Sequence, residues 1–284
     1  MLTLKSTEIP KLLRQIDQPP KNLYILGNDI RIFENIPKIA VVGSRRLSNY
    51  GRQVTDKLAS ELSRAGVVII SGLALGVDSV AHQACLDAGG ITVAVLPSSV
   101  TNIYPRSHLG LAKDIVVKGG SLVSEINDPR PPMQHSFLIR NRLISGLTDA
   151  TLITEAAERS GSLNTARHAL EQGKTVFAVP GNITSELSAG TNNLIKAGAI
   201  PVTCVDDILQ NMNWARNSLS EQTSLFKGTP AEETIIHLLQ EGVSSAAELQ
   251  AKSELNQADF NQALTMLEIY GQINPLGANS WTLR

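Results

Sequence analysis

Residues 137–146 read FLIRNRLISG and place Arg140 and Arg142 among apolar neighbours on both sides. A guanidinium withdrawn from water is costly unless an anion or a set of acceptors meets it, so this segment asks for partners. On a helix, residues two apart point to different sides, and the two arginines therefore divide their roles. Two readings stand side by side. In one, the stems lie along apolar surface and the heads reach water or a carboxylate such as Glu125 or Glu155. In the other, one head meets a bound anion while its neighbour holds the wall in place.

Three further segments carry residues suited to an anion. VVGSRRLSNYG sets Gly43, Ser44 and Arg45 in a crossing loop, with Ser48 or Asn49 placed to cap the helix that follows. SGLALGVDSVAH, residues 71–82, opens with Ser71 and Gly72, a small-residue turn that lets a ligand approach the backbone closely. TEAAERSGSLNTARHAL brings Ser160, Gly161 and Ser162 to a helix start, where hydroxyls and free amides suit a phosphate. An ordinary capping serine after a glycine turn accounts for those last three residues equally well.

Other chemistries find less support. Asp78 and His82 lie four apart on one helix face without a third ligand, so they read as a local hydrogen-bonded pair and not as a metal site. Gly173-Lys174-Thr175 imitates the end of a phosphate-binding P-loop, yet His168 stands where the first glycine belongs, and the segment precedes a strand where such a motif follows one. The loop at Gly43 is no dinucleotide fingerprint, because the next glycine is Gly51. Five histidines and Cys85 form no recognisable triad. A binding protein without cofactor or metal is expected, and not an enzyme.

The elements that position these residues are legible in the apolar pattern. Short β-branched runs at 39–43, 67–71, 91–96, 121–125, 150–155 and 174–180 alternate with amphipathic segments. Near-continuous apolar strands separated by helices predict an α/β fold, a doubly wound Rossmann-like domain whose mostly parallel sheet is covered on both faces. This domain is assigned to 39–210, after an N-terminal lead-in strand and helix over 1–38. The polar stretch 211–228 reads as a linker. Residues 229–284 then spell three short helices and a glycine-containing two-strand ending, a small winged-helix-like domain.

Net charge is −1, but its distribution is uneven: residues 229–284 hold two basic groups against seven acidic ones, which leaves 23 basic against 19 acidic before them. The body therefore suits an anionic ligand, and the tail does not. The third tail helix carries Asp259 and Glu268 and no basic residue, which disfavours reading of duplex DNA. Two cysteines without a CxxC spacing favour a reducing compartment. No apolar run is long enough for a membrane span, so a cytoplasmic protein is expected.

Taken together, GSRRLSNYG, SGLALGVDSVAH, NIYP at 102–105, FLIRNRLISG, EAAERSGSLNTARHALEQGKTVFAVPGN and GTNNLIKAGA resemble the DNA-processing protein A (DprA/Smf) family, from about Leu23 to Asp207. The resemblance implies a protein that binds and protects single-stranded DNA during DNA processing and recombination, and loads the RecA recombinase onto it in natural transformation and competence. It also implies a homodimer formed through the Rossmann-like domain and no cofactor. Carried onto this chain, it makes Gly43, Ser44 and Arg45 a DNA contact, sets Phe137, Arg140, Asn141 and Arg142 at the mouth of one basic pocket, and lines that pocket with Ser71, Gly72, Ser160, Gly161 and Ser162. Lys174 joins them as a further cation. Where the family commonly has a glycine-rich turn, this chain has Leu96-Pro97-Ser98-Ser99, expected to reshape one wall. The rival from another class is a nucleoside-monophosphate phosphoribohydrolase, although the doubled-glycine signature of that activity is missing.

Overall fold

In a computed structural model of the protein, residues 1–128, 130–214, 229–240, 243–253, 255–269, 272–277 and 280–283 are described. The chain divides into two compact units, Met1–Ser220 and Glu221–Arg284. The expected linker lies largely outside the described residues.

The first unit is built on a nine-stranded sheet. Its parallel centre comprises β3 (Lys38–Val42), β4 (Val68–Ser71), β5 (Thr92–Val95), β6 (Ser121–Ser124), β7 (Ala150–Ile153), β8 (Thr175–Ala178) and the short edge strand β9 (Ile200–Pro201). The lead-in contributes β1 (Leu2–Lys5) and β2 (Asn22–Gly27), which extend the sheet antiparallel beyond β6. Strand order is β1-β2-β6-β5-β4-β3-β7-β8-β9. The chain thus moves outward from β3 to β6, then returns to lay β7 on the other side of β3. That reversal opens a crevice beyond the carboxyl ends of β3 and β7, the place where doubly wound sheets bind ligands.

Alternation along each strand feeds two faces. From β3, Ala40 and Val42 join one apolar cluster, with Leu143 and Ile144 of α5 (Gln134–Gly146), Leu147 just after it, and Ala166 and Ala169 of α6 (Ser162–Glu171). Ile39 and Val41 join the other, with Leu58 and Leu62 of α2 (Asn49–Arg64), Ala81 and Cys85 of α3 (Val77–Asp87), and Ile208 of α8 (Val205–Asn211). Full burial of each such leucine or isoleucine contributes roughly 1.5–3 kcal/mol. The remaining helices of this unit are α1 (Lys11–Arg14), α4 (Leu109–Val117) and α7 (Ala189–Lys196).

In the second unit, α9 (Pro230–Gln240), α10 (Ala246–Ser253) and α11 (Gln257–Ile269) pack around Ile235, Leu249, Phe260 and Leu267. An antiparallel ribbon of β10 (Ile273–Gly277) and β11 (Ser280–Leu283) closes it. Glu268 of α11 accepts a hydrogen bond from the Trp281 indole. Among the described residues, no helix is long and apolar enough to cross a membrane.

Candidate nucleic-acid interface

The crevice begins where β3 and β7 end side by side. Ser44 N–H donates to the Glu155 carbonyl at 2.7 Å, which ties the two crossing loops together. Ser48 caps α2 by accepting from Gly51 N–H at 3.0 Å, as an N-terminal serine should. A groove of about 880 Å³ opens above this junction. Gly43, Ser44 and Arg45 form one side of it, Ser160, Gly161 and Ser162 face them, and Phe137, Arg140 and Asn141 of α5 supply a third wall.

The groove's positive charge comes from exposed arginines, and Glu186 is an exposed carboxylate on the same lining. Arg45, Arg46 and Arg159 all line it and all reach solvent. Among the described residues, no carboxylate lies within ion-pair distance of any of the three. The Arg45 guanidinium stands 4.8 Å above the Phe137 ring, and Phe137 meets Tyr104 edge-on with ring centroids 5.6 Å apart. Cation and rings therefore support one another at the groove wall. Opposite, α6 starts at Gly161 without a side-chain cap, while the Ser160 and Ser162 hydroxyls hydrogen-bond to each other at 2.8 Å. Helix N-terminal amides and two hydroxyls beside unpaired guanidinium groups favour an anion.

Arg140 has a different task. It is only 4% exposed. Its Nη1 donates to the Gly72 carbonyl at 2.7 Å and to the Val95 carbonyl, while Nε reaches Asn141 Oδ1 at 3.2 Å. Burial pushes its pKa down to about 10, and the nearby Asp78 carboxylate opposes that shift. Asp78 in turn accepts from the Gly72 and Ala74 amides; burial raises its pKa against the pull of Arg140. Arg140 is thus a buried pin on the groove lining, held by the Gly72 and Val95 carbonyls. Asn141 links α5 to α6 by donating to the Gly161 carbonyl at 3.3 Å.

Four expected site residues lie elsewhere, each for a physical reason. Arg142 leaves α5 on another side and pairs with Glu125 at 2.5 Å, both side chains mostly buried; this is the carboxylate partner that its apolar surroundings demanded. Ser71 is fully buried and donates to the Val41 carbonyl, and Gly72 lies beneath the floor against Arg140. Lys174 precedes β8 at the amino-terminal end of the strands, opposite the crevice, where its Nζ donates to the Ser145 and Gly146 carbonyls that end α5. Burial there lowers its pKa to about 8.

Two other expectations are corrected. Ser98 and Ser99 turn inward, Ser98 onto the Asn102 carbonyl and Ser99 onto Thr101, and neither lines the groove. Asp78 and His82 are not partners: His82 Nδ1 meets Thr92 Oγ1 at 2.7 Å, while Asp78 serves backbone amides. Sequence reasoning missed Arg46, Arg159 and Tyr104. Their signals were present, since Arg46 adjoins Arg45, Arg159 precedes the SGS turn, and Tyr104 lies in the NIYP motif.

Comparison with known proteins now bears on this geometry. Residues 1–213 match the model of the family described as DNA recombination-mediator protein A. The chain belongs to that family. Within the DNA recombination-mediator protein A family, Protein Smf of Escherichia coli is 44% identical over 212 residues, which are 75% of this chain and 56% of that protein. The chain thus spans little more than half the length of that relative. DNA processing protein DprA of Bacillus subtilis is 39% identical over 211 residues, 74% of this chain and 70% of the relative. A solved structure of DNA processing protein A from Helicobacter pylori, described for its single-stranded-DNA binding mode, has a TM-score of 0.67 at 35% identity. It covers 75% of this chain and 95% of that one. The doubly wound fold of this DNA recombination-mediator protein A family member is therefore the fold of its relatives.

Proposed function

We propose that this chain binds single-stranded DNA by its phosphate backbone in the groove beyond β3 and β7. It acts as a non-enzymatic cytoplasmic mediator that protects incoming strands and passes them to the RecA recombinase in transformation and recombination, working as a homodimer formed through the Rossmann-like domain. One observation carries this reading: three exposed arginines with no ion pair among the described residues, Arg45, Arg46 and Arg159, line one groove beside the Phe137 and Tyr104 rings. Cations that follow a backbone together with rings that stack on bases are what sequence-tolerant single-strand binding requires. The binding mode described for the Helicobacter pylori relative supports it.

Fluorescence anisotropy with a labelled oligo-dT at several salt concentrations tests the reading. Three neutralised phosphates give a log–log salt slope of about −2 per protomer. Arg45→Ala combined with Arg159→Ala should flatten that slope and abolish tight binding without lowering Tm. Unchanged affinity in the double variant would overturn the placement of the site.

The phosphoribohydrolase alternative is disfavoured by the sequence, which lacks the doubled-glycine signature of that activity. Incubation with AMP and chromatography for free adenine separates the two, since a binding protein releases none.

A further inference from the structure

Beside the main groove lies a second cavity of about 480 Å³, with Ser48, Tyr50 and Glu155 on one side and the loop Pro180–Ser188 on the other. Glu155 forms its floor, only 2% exposed. Buried carboxylates are ordinarily ion-paired, yet among the described residues Glu155 makes no ion pair. Its Oε2 accepts from Ser48 N–H at 2.8 Å and its Oε1 from the Ser48 hydroxyl at 2.5 Å. A carboxylate offers about four acceptor positions, so one remains open on each oxygen. Such a floor repels phosphate and attracts a ligand that presents two adjacent N–H donors.

The walls are prepared for a flat ring. Tyr50 is 46% exposed, and its hydroxyl is anchored to the Pro180 carbonyl at 2.8 Å, which holds the ring at the cavity mouth. Asn192 clamps the Pro180-Gly181 turn by accepting from Gly181 N–H and donating to the Gly181 carbonyl. Asn182 Oδ1 accepts from Thr184 N–H and Oγ1, so its amide nitrogen remains a donor. The two cavities adjoin: Ser185 and Ser188 face this one, and Glu186 and Leu187 between them face the main groove.

We infer that this second cavity is a nucleobase subsite selective for guanine, occupied by a nucleotide of the same strand that lies in the arginine groove. Guanine's N1–H and N2–H₂ meet the Glu155 carboxylate side by side, its O6 accepts from Asn182, and its ring stacks on Tyr50. Thymine and cytosine each present a single donor group on that edge, and adenine presents an acceptor beside its amine. The subsite rests on the single-strand reading proposed above, and makes an otherwise sequence-tolerant protein count guanines.

Anisotropy titrations of the full chain with three oligonucleotides test it: all dT, dT with one central dG, and dT with one central deoxyinosine, which keeps N1–H and lacks the 2-amino group. The dG oligonucleotide should bind about ten-fold tighter than dT, the worth of one good bidentate base contact, and the inosine oligonucleotide should lose most of that gain. Tyr50→Ala and Asn182→Ala, both on exposed residues, should bring the dG-to-dT ratio to about one, and Glu155→Gln should do the same. Equal affinity of the wild-type chain for dG and dT oligonucleotides overturns the subsite, as does a preference that survives Tyr50→Ala and Asn182→Ala together. Failure to bind any of the three overturns the single-strand reading itself, and so the two failures are distinguishable.

Discussion

Arg140 Nη1 and the Gly72 carbonyl oxygen lie 2.7 Å apart, and a methyl group on Gly72 would come within 2.6 Å of that guanidinium. The arginine is locked beneath the turn that follows β4, with Asp78 holding the Gly72 amide from the other side. A buried cation on the groove lining thus fixes the turn that follows β4.

Arg140→Ala should therefore act on stability. It strips the Gly72 and Val95 carbonyls of their donor and leaves the buried Asp78 without the Arg140 charge. Losing one member of such a buried charged set costs about 3–5 kcal/mol. Urea unfolding should show a loss of that order, and a stability near wild type would refute the pinning role.

Arg142 and the exposed arginines should separate cleanly. Arg142→Ala leaves Glu125 without its partner and should destabilise by about 1–3 kcal/mol, with no change in the salt slope of oligonucleotide binding. Arg45→Ala and Arg159→Ala should each reduce the slope by about 0.7 and leave the unfolding midpoint close to wild type. A flattened slope in Arg142→Ala would restore that residue to the phosphate contacts.

Gly51→Ala probes the seat of Glu155. A Cβ at position 51 would lie 2.6 Å from Glu155 Oε2, and Leu47 closes the same space from the other side. Neither neighbour gives way freely, because the carboxylate is held by Ser48. Alanine is the better helix former by up to about 1 kcal/mol, so a net loss of thermal stability would show the clash outweighing propensity.

Lys174 predicts a pH dependence. Its pKa is about 8 in the folded protein against an ordinary value of 10.5. Between those values the unfolded chain binds more protons than the folded one, so stability rises with pH through that window. The full contribution is about 3 kcal/mol by linkage. Cys85, raised by burial to about 11, acts in the opposite sense above pH 9. Unfolding free energies from pH 7.5 to 10 should rise less steeply in Lys174→Met than in wild type; parallel curves would remove Lys174 from the account.

The sequence by itself determined the alternation of apolar strands and amphipathic helices, hence the doubly wound sheet, and the loops at Gly43 and Ser160 that meet at its crevice. Those features follow from local pattern: β-branched runs must be buried on both faces, and small and hydroxyl residues must fall where helices start. The segregation of acidic charge into the tail was equally legible. Tertiary structure alone decided which cations stay free. Arg140 and Arg142 differ little in local sequence, yet one finds carbonyls from the turn after β4 and from β5, and the other finds Glu125. Lys174 lies only 12 residues beyond Ser162, but the intervening helix carries it back to the opposite end of the strands. Spacing along a chain tells which way a side chain leaves its helix; what it meets there depends on strands that the chain order keeps apart.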